Sequence, residues 1–220
     1  MYFIQVLEGF QEKKTGGRER RLPRNQIRKM EFFDYTNPVE PKKGCILVSE
    51  PYLPDPNFER TIILLCEHNA EGSFGFVLNK PSPAKITDIM DSIKNFDTQV
   101  YVGGPVQQDT LHYIHRLHKL EGSVEIGEGI YWGGNFEQLN LLLNSKQIAP
   151  DDLKFFLGYS GWSEGQLEEE LKANSWIVSG DVDDKLIFET NAEIMWQKAL
   201  KAMGGRFSVY SNYPVDPRLN

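Results

Sequence analysis

Residues 61–66 read Thr-Ile-Ile-Leu-Leu-Cys, an apolar run closed on one side by Arg60 and on the other by Glu67-His68. It is too short for an ordinary helix and has no polar face, so it reads as a buried strand. Residues 45–49, 74–78 and 100–102 are similar runs rich in Ile, Val and Leu, bounded by Gly, Pro and Asn, and read the same way. Residues 110–116, 124–131, 176–179 and 186–188 are further strand candidates.

Helices fall between them. Ser82-Pro83 ahead of Ile86, Ile89, Met90 and Ile93 predicts a cap, a first-turn proline and an apolar stripe. Asn135 with Gln138 starts a second stripe at Leu139, Leu142 and Leu143. Ser163-Glu-Gly-Gln166 forms a capping box before Leu167 and Leu171. Thr190 with Glu193 forms another before Ile194, Met195, Ala199 and Met203, and Gly204-Gly205 closes that helix. Strands and helices in this order predict a mixed α+β fold. Residues 44–220 show no internal repeat and no long interior linker, so they read as one compact domain, with residues 206–220 as an extended tail carrying two prolines.

Residues 1–43 read as an extension, with Gly16-Gly17, Pro23, Asn37-Pro38 and Pro41 and no sustained period. Residues 1–29 hold eight basic and three acidic side chains. The remaining residues therefore carry −12 of a total of −7. Two readings of this segment follow: translation from Met30, with 1–29 an artefact of the gene model, or a real basic arm. The interleaved acids and the missing helical face favour the first. An acidic body is a poor grip for phosphate backbones, and direct nucleic-acid binding is disfavoured.

The two cysteines, Cys45 and Cys66, lie inside apolar runs and read as buried, reduced thiols rather than a disulfide framework. The N-terminus has neither the order nor the apolar length of a secretory signal, and no stretch approaches the length of a membrane span. The expectation is a cytoplasmic protein with no membrane partner.

Several constellations invite chemistry. His112, His115 and His118 are spaced by three, but on a strand His115 points away from the other two, which disfavours a metal site. Glu67-His68 ends a buried strand, a position suited to proton transfer, though neighbours on a strand face opposite ways. Gly158-Tyr-Ser-Gly-Trp162 misses the serine-elbow spacing, because Gly161 follows Ser160 directly and every histidine precedes it. Gly103-Gly104 after a strand could open amides to an anion, yet no nucleotide-binding spacing follows. Core packing is the default for all four tryptophans, and Trp162, beside a helix cap, is the one best placed to line a pocket.

The ordered set of motifs resembles the YqgE/AlgH family (UPF0301, DUF179). Its carriers are Gly44-Cys-Ile-Leu-Val, Pro51, Phe58-Glu-Arg-Thr-Ile-Ile, Glu67-His68, Gly72-Ser-Phe-Gly75 and Asn79-Lys-Pro81. Val100-Tyr-Val-Gly-Gly-Pro-Val106, His115, Gly158-Tyr-Ser-Gly-Trp162, Gly165-Gln-Leu167, Glu170 and Trp176 continue it. The resemblance implies a single domain whose bifurcated, mostly antiparallel sheet forms a pseudo-barrel with flanking helices. It also implies a bacterial cytosolic protein. Some members carry the label of transcriptional regulator, and no reaction or cofactor belongs to the family.

The function expected is therefore a non-catalytic regulatory or interaction protein. It would bind a protein or small molecule through a surface of Glu67, His68, Asn79, Gly103, Gly104, His115, Gly161, Trp162 and Gln166, with no catalytic residue, metal or cofactor. The alternative is a hydrolase-like enzyme using Glu67, His68 or His115. A third reading is DNA binding through the basic arm.

Overall fold

The computed structural model describes residue 37, residues 39–180 and residues 183–215. The basic cluster of residues 1–29 and the end of the expected tail, 216–220, lie outside the described residues.

The apolar runs form β1 (Ile46–Ser49), β2 (Ile62–Asn69) and β3 (Gly72–Val77). After β4 (Pro81–Lys85), α1 (Ile86–Ile89) and β5 (Gln99–Val102) comes the long strand β6 (Val106–His115). The hairpin of β7 (Val124–Gly127) and β8 (Ile130–Trp132) precedes α2 (Phe136–Asn144). The remaining elements are β9 (Leu153–Ser163), α3 (Gln166–Lys172), β10 (Trp176–Ser179), α4 (Asp184–Phe188), α5 (Ala192–Met203) and α6 (Gly205–Tyr210).

The ten strands make one mixed sheet ordered β10-β1-β2-β3-β9-β6-β8-β7, with β4 and β5 off that path. Strand β9 is the fork. One edge pairs with β6. The other pairs with β5 over Phe155–Leu157, in parallel, and with β3 over Ser160–Ser163. Gly158 sits between these two stretches with φ +66, and a side chain there would come 2.6 Å from the Val106 carbonyl oxygen. Only glycine fits a left-handed bend this close to another backbone.

Alternation along the strands feeds separate cores. Ile46, Val48, Ile62, Leu64 and Phe76 face a core closed by Met195, Trp196 and Leu200 of α5. Leu47, Ile63, Leu65 and Val77 face the opposite side, with Leu167 of α3. Leu139 and Leu143 of α2 close a third core on Leu111, Tyr113 and Phe155. The result is a single-domain mixed α+β fold with a large, mostly antiparallel sheet and flanking helices.

Four local expectations are corrected. Residues 82–85 belong to a strand, because Ser82 Oγ accepts from the Ala84 amide instead of capping a helix. The helix starts only at Ile86, where the Lys85 amide donates to Asp88. Residues 186–188 are helical, since Asp183 accepts from the Lys185 amide and opens one turn that buries Ile187 and Phe188. The cap of α5 is Asn191, accepting from the Glu193 amide, while Thr190 Oγ1 donates back to the Lys185 carbonyl. Residues 206–210 are not an extended tail but helix α6, whose Phe207 and Tyr210 pack on the α5 core. Beyond it, Arg60 donates to the carbonyls of Tyr213 and Pro214.

Before Gly44, Asn37 is already tied to the sheet. Its side chain donates to the Trp176 carbonyl at 3.2 Å and accepts from the Val178 amide at 2.8 Å. It thereby satisfies the free edge of β10 in place of a further strand.

Candidate functional site

The ladder between β2 and β3 decides which polar groups meet. Leu65 pairs with Gly75, and the next pair is Glu67 with Phe74, so Cys66 is bulged out. A bulge reverses the alternation beyond it. Glu67 and Asn69 therefore share the face of Phe74. His68 falls on the other face, opposite Ser73. In β9 the bend at Gly158 does the same, turning Tyr159 and Gly161 toward Phe74 and Trp162 away from it.

On the Phe74 face the strands leave an open cleft of about 560 Å³. Its aromatic lining is Phe74, Trp132, Tyr159 and His112. The Phe74 ring lies 4.9 Å from Trp132 and 6.1 Å from Tyr159, both edge-on. His112 lies 5.9 Å from Tyr159 and 5.3 Å from Phe76. Glu67, Asn69 and Glu71 bring polar groups to the cleft, all three exposed, with Asn69 donating to Glu67 at 2.6 Å. Thr110 Oγ1 donates to the Gln107 carbonyl, so the His112 Nε2–H donates to Thr110 at 2.9 Å. Burial pushes the His112 pKa down to about 4, so the ring is neutral at pH 7.

The expected surface divides among several places. Glu67, Gly161 and Trp162 border the cleft, but the Trp162 indole belongs to the opposite face. There Glu170 Oε2 accepts from the indole nitrogens of Trp162 at 2.9 Å and Trp176 at 2.7 Å. Gln166 donates to the other Glu170 oxygen and accepts from Ser163, so both half of the expected capping box and the tryptophan pair serve to dock α3. On this face His68 Nδ1 lies 2.7 Å from Ser73 Oγ, and its Nε2 is 3.9 Å from Glu168.

Asn79, Gly103, Gly104 and His115 lie away from the cleft and hold the scaffold together. Asn79 accepts from the Ile62 amide and donates to the Arg60 carbonyl. The Gly103 amide is spent on the Leu157 carbonyl, and Ser160, fully buried, donates to the Gly103 carbonyl. A side chain on Gly104 would overlap the backbone of Tyr159 and Ser160. The glycine pair therefore brings two strands together rather than opening amides to an anion. His115 is fully buried and stacked 5.8 Å from Tyr131. It accepts from the Leu117 amide at Nδ1 and lies 2.8 Å from the Gly133 carbonyl at Nε2. Glu67, His68 and His115 thus do not converge on one cleft.

Of the cleft's aromatic residues, the sequence marks His112 only as part of a histidine triplet, and it gives Trp132 and Tyr159 no role at a site. Trp132 and Tyr159 come from strands far apart in the chain, and their meeting depends on the fork in β9. The only local signal was the dense glycine pattern at 158–161. Among the described residues, no group of three His, Cys, Asp or Glu side chains is placed to share a metal ion. No helix among them is long and apolar enough to cross a membrane. Cys45 and Cys66 are free and buried, and burial raises both thiol pKa values.

The AlgH-like (DUF179) family profile matches residues 46–208. A UPF0301 protein of Cytophaga hutchinsonii is 48% identical over 180 residues, covering 81% of this chain and 98% of that protein. A UPF0301 protein of Bacteroides fragilis is 39% identical over 190 residues, covering 86% and 96%. The solution structure of the AlgH protein from Pseudomonas aeruginosa superposes with a TM-score of 0.62 at 28% identity, covering 78% of this chain and 94% of that one. A crystal structure of a Corynebacterium diphtheriae protein shares the fold, with a TM-score of 0.67 at 20% identity over 80% and 94% of the two chains. The match spans most of the chain and reaches close relatives, so the chain belongs to the AlgH-like UPF0301 (DUF179) family.

Proposed function

We propose that the protein is a non-catalytic binding protein that receives its ligand or partner in the cleft between Phe74, Trp132 and Tyr159. One observation carries this reading: an aromatic-lined cleft of about 560 Å³ stands apart from Ser160 and His115, whose polar atoms are committed to the scaffold. A cleft of this size falls in the roughly 300–1,000 Å³ range of small-molecule sites. The test is a fragment and peptide screen read by ¹H–¹⁵N chemical shifts on the full chain. Binders should shift the Trp132 and Tyr159 resonances and be lost in Trp132→Ala. Binders that leave these resonances unmoved refute the cleft.

A second reading, hydrolysis, rests on a different observation. Ser73 Oγ lies 2.7 Å from His68 Nδ1, with Glu168 3.9 Å beyond Nε2. A nucleophile, base and orienting acid stand in that order in hydrolases of several folds. A fluorophosphonate probe should then label Ser73, and labelling should vanish in His68→Ala. Labelling that is absent, or that persists in the variant, removes this reading.

A further inference from the structure

We propose that the cleft recognises a guanidinium group, presented as an arginine side chain on a peptide. This rests on the reading of the cleft as a binding site.

The cleft combines aromatic rings with the carboxylates of Glu67 and Glu71, and among the described residues no lysine or arginine lines it. Its imidazole, His112, is neutral at pH 7 and donates to Thr110. The electrostatic character of the cleft is therefore negative. Residues 30–220 carry a net −12, which extends that field outward. An anion is repelled, and a neutral apolar ligand leaves the carboxylates without a role.

Aromatic faces and carboxylates together favour a cation that can use both. Guanidinium is planar and weakly hydrated. It stacks on aromatic rings and forms paired hydrogen bonds to a carboxylate. Glu67 is exposed and uses Oε1 to accept from Asn69, which orients the carboxylate while its other oxygen still has acceptor capacity. Free arginine fits less well, because the lining offers no cation for its α-carboxylate. A peptide-borne arginine has no such group.

The experiment titrates acetyl-Gly-Arg-Gly-amide into the full chain, followed by the indole and backbone shifts of Trp132. The citrulline analogue keeps the shape of the side chain and removes the charge. The arginine peptide should saturate, Glu67→Gln should weaken it at least tenfold, and the citrulline peptide should fail to bind. Thermal unfolding of Glu67→Gln should match wild type, so that lost binding is not lost folding. Equal binding of the citrulline peptide, or no effect of Glu67→Gln, overturns the guanidinium assignment. Free L-arginine binding as tightly as the peptide overturns the peptide-borne form. If neutral fragments shift Trp132 and Tyr159 but the arginine peptide does not, the binding reading stands and this assignment fails. If nothing perturbs those residues, both fail.

Discussion

Glu67 stands directly across the β2–β3 ladder from Phe74, and it does so because Cys66 is bulged out of the strand. Without the bulge, strict alternation would put His68 on the cleft face and Glu67 beneath α3. One extra residue thus separates the carboxylate that borders the cleft from the imidazole hydrogen-bonded to Ser73.

On the α3 face the joint is Glu170. Its carboxylate accepts from two indoles, Trp162 and Trp176, which are almost fully buried. Glu170→Ala leaves both N–H groups without their acceptor. Hydrogen bonds to a charged group contribute about 1.5–3 kcal/mol each, so losing both should cost about 3–6 kcal/mol. Glu170→Gln keeps an acceptor oxygen and should cost about 1 kcal/mol. Urea denaturation followed by tryptophan fluorescence measures both. Equal stability of the alanine variant and wild type would show that the indoles find other partners.

Gly104 tests whether the glycine pair is structural. An added Cβ would overlap the main chain of Tyr159 and Ser160, which cannot swing aside as a side chain can. Gly104→Ala should cost more than about 3 kcal/mol or abolish soluble expression. Circular dichroism and thermal unfolding give the outcome. A variant as stable as wild type would mean that the β5–β6 connection does not approach β9 as described.

Much of the framework was legible because short branched runs between glycines and prolines have few alternatives. β1, β2 and β10 fall where Ile, Val and Leu cluster. β9 carries no strand signal in the sequence. It is the longest in the sheet, but Gly158, Ser160 and Gly161 interrupt its apolar pattern. Those residues bend it between two partners. The helix over 186–188 read as a strand because three apolar residues carry no period, and only the Asp183 cap decides the matter. The site was less legible than the fold. Trp162, Gln166, Asn79 and His115 stand out in the sequence, and the structure uses them as joints. The cleft depends on which face each residue takes after a bulge, and a bulge leaves little trace in one sequence.

His112 makes stability depend on pH. Its pKa falls from 6.5 to about 4 on folding, because burial disfavours the imidazolium. Between those values the unfolded chain binds more protons than the folded one, so stability falls as pH drops through the window. About 2.5 units at 1.36 kcal/mol each gives a loss of about 3 kcal/mol from pH 7 to pH 4 from this residue. His115, also lowered by burial, adds in the same direction. His112→Phe keeps a ring beside Phe76 and Tyr159 but does not titrate. Its urea midpoint should therefore fall less than that of wild type between pH 6.5 and 4. Parallel pH profiles would assign the acid sensitivity to other groups.

Lys154 destabilises the fold while it is charged. It lies in β9 opposite Ile114, is only 6% exposed, and holds its ammonium 4.4 Å from the centre of the Tyr101 ring. Burial lowers its pKa from 10.5 to about 8, with Asp151 opposing the shift. The charged form is thus penalised by folding at pH 7. Between pH 8 and 10.5 the unfolded chain holds more protons, so this penalty fades as pH rises. Lys154→Met fills similar space without the charge and forfeits the contact with Tyr101. Replacing buried charge by apolar volume is neutral or stabilising by about 1–4 kcal/mol. The variant should therefore gain about 1–2 kcal/mol at pH 7, and the gain should shrink toward pH 10. Paired urea titrations at the two pH values decide it. A variant less stable than wild type at pH 7 would mean that the ammonium–ring contact outweighs desolvation in this strand.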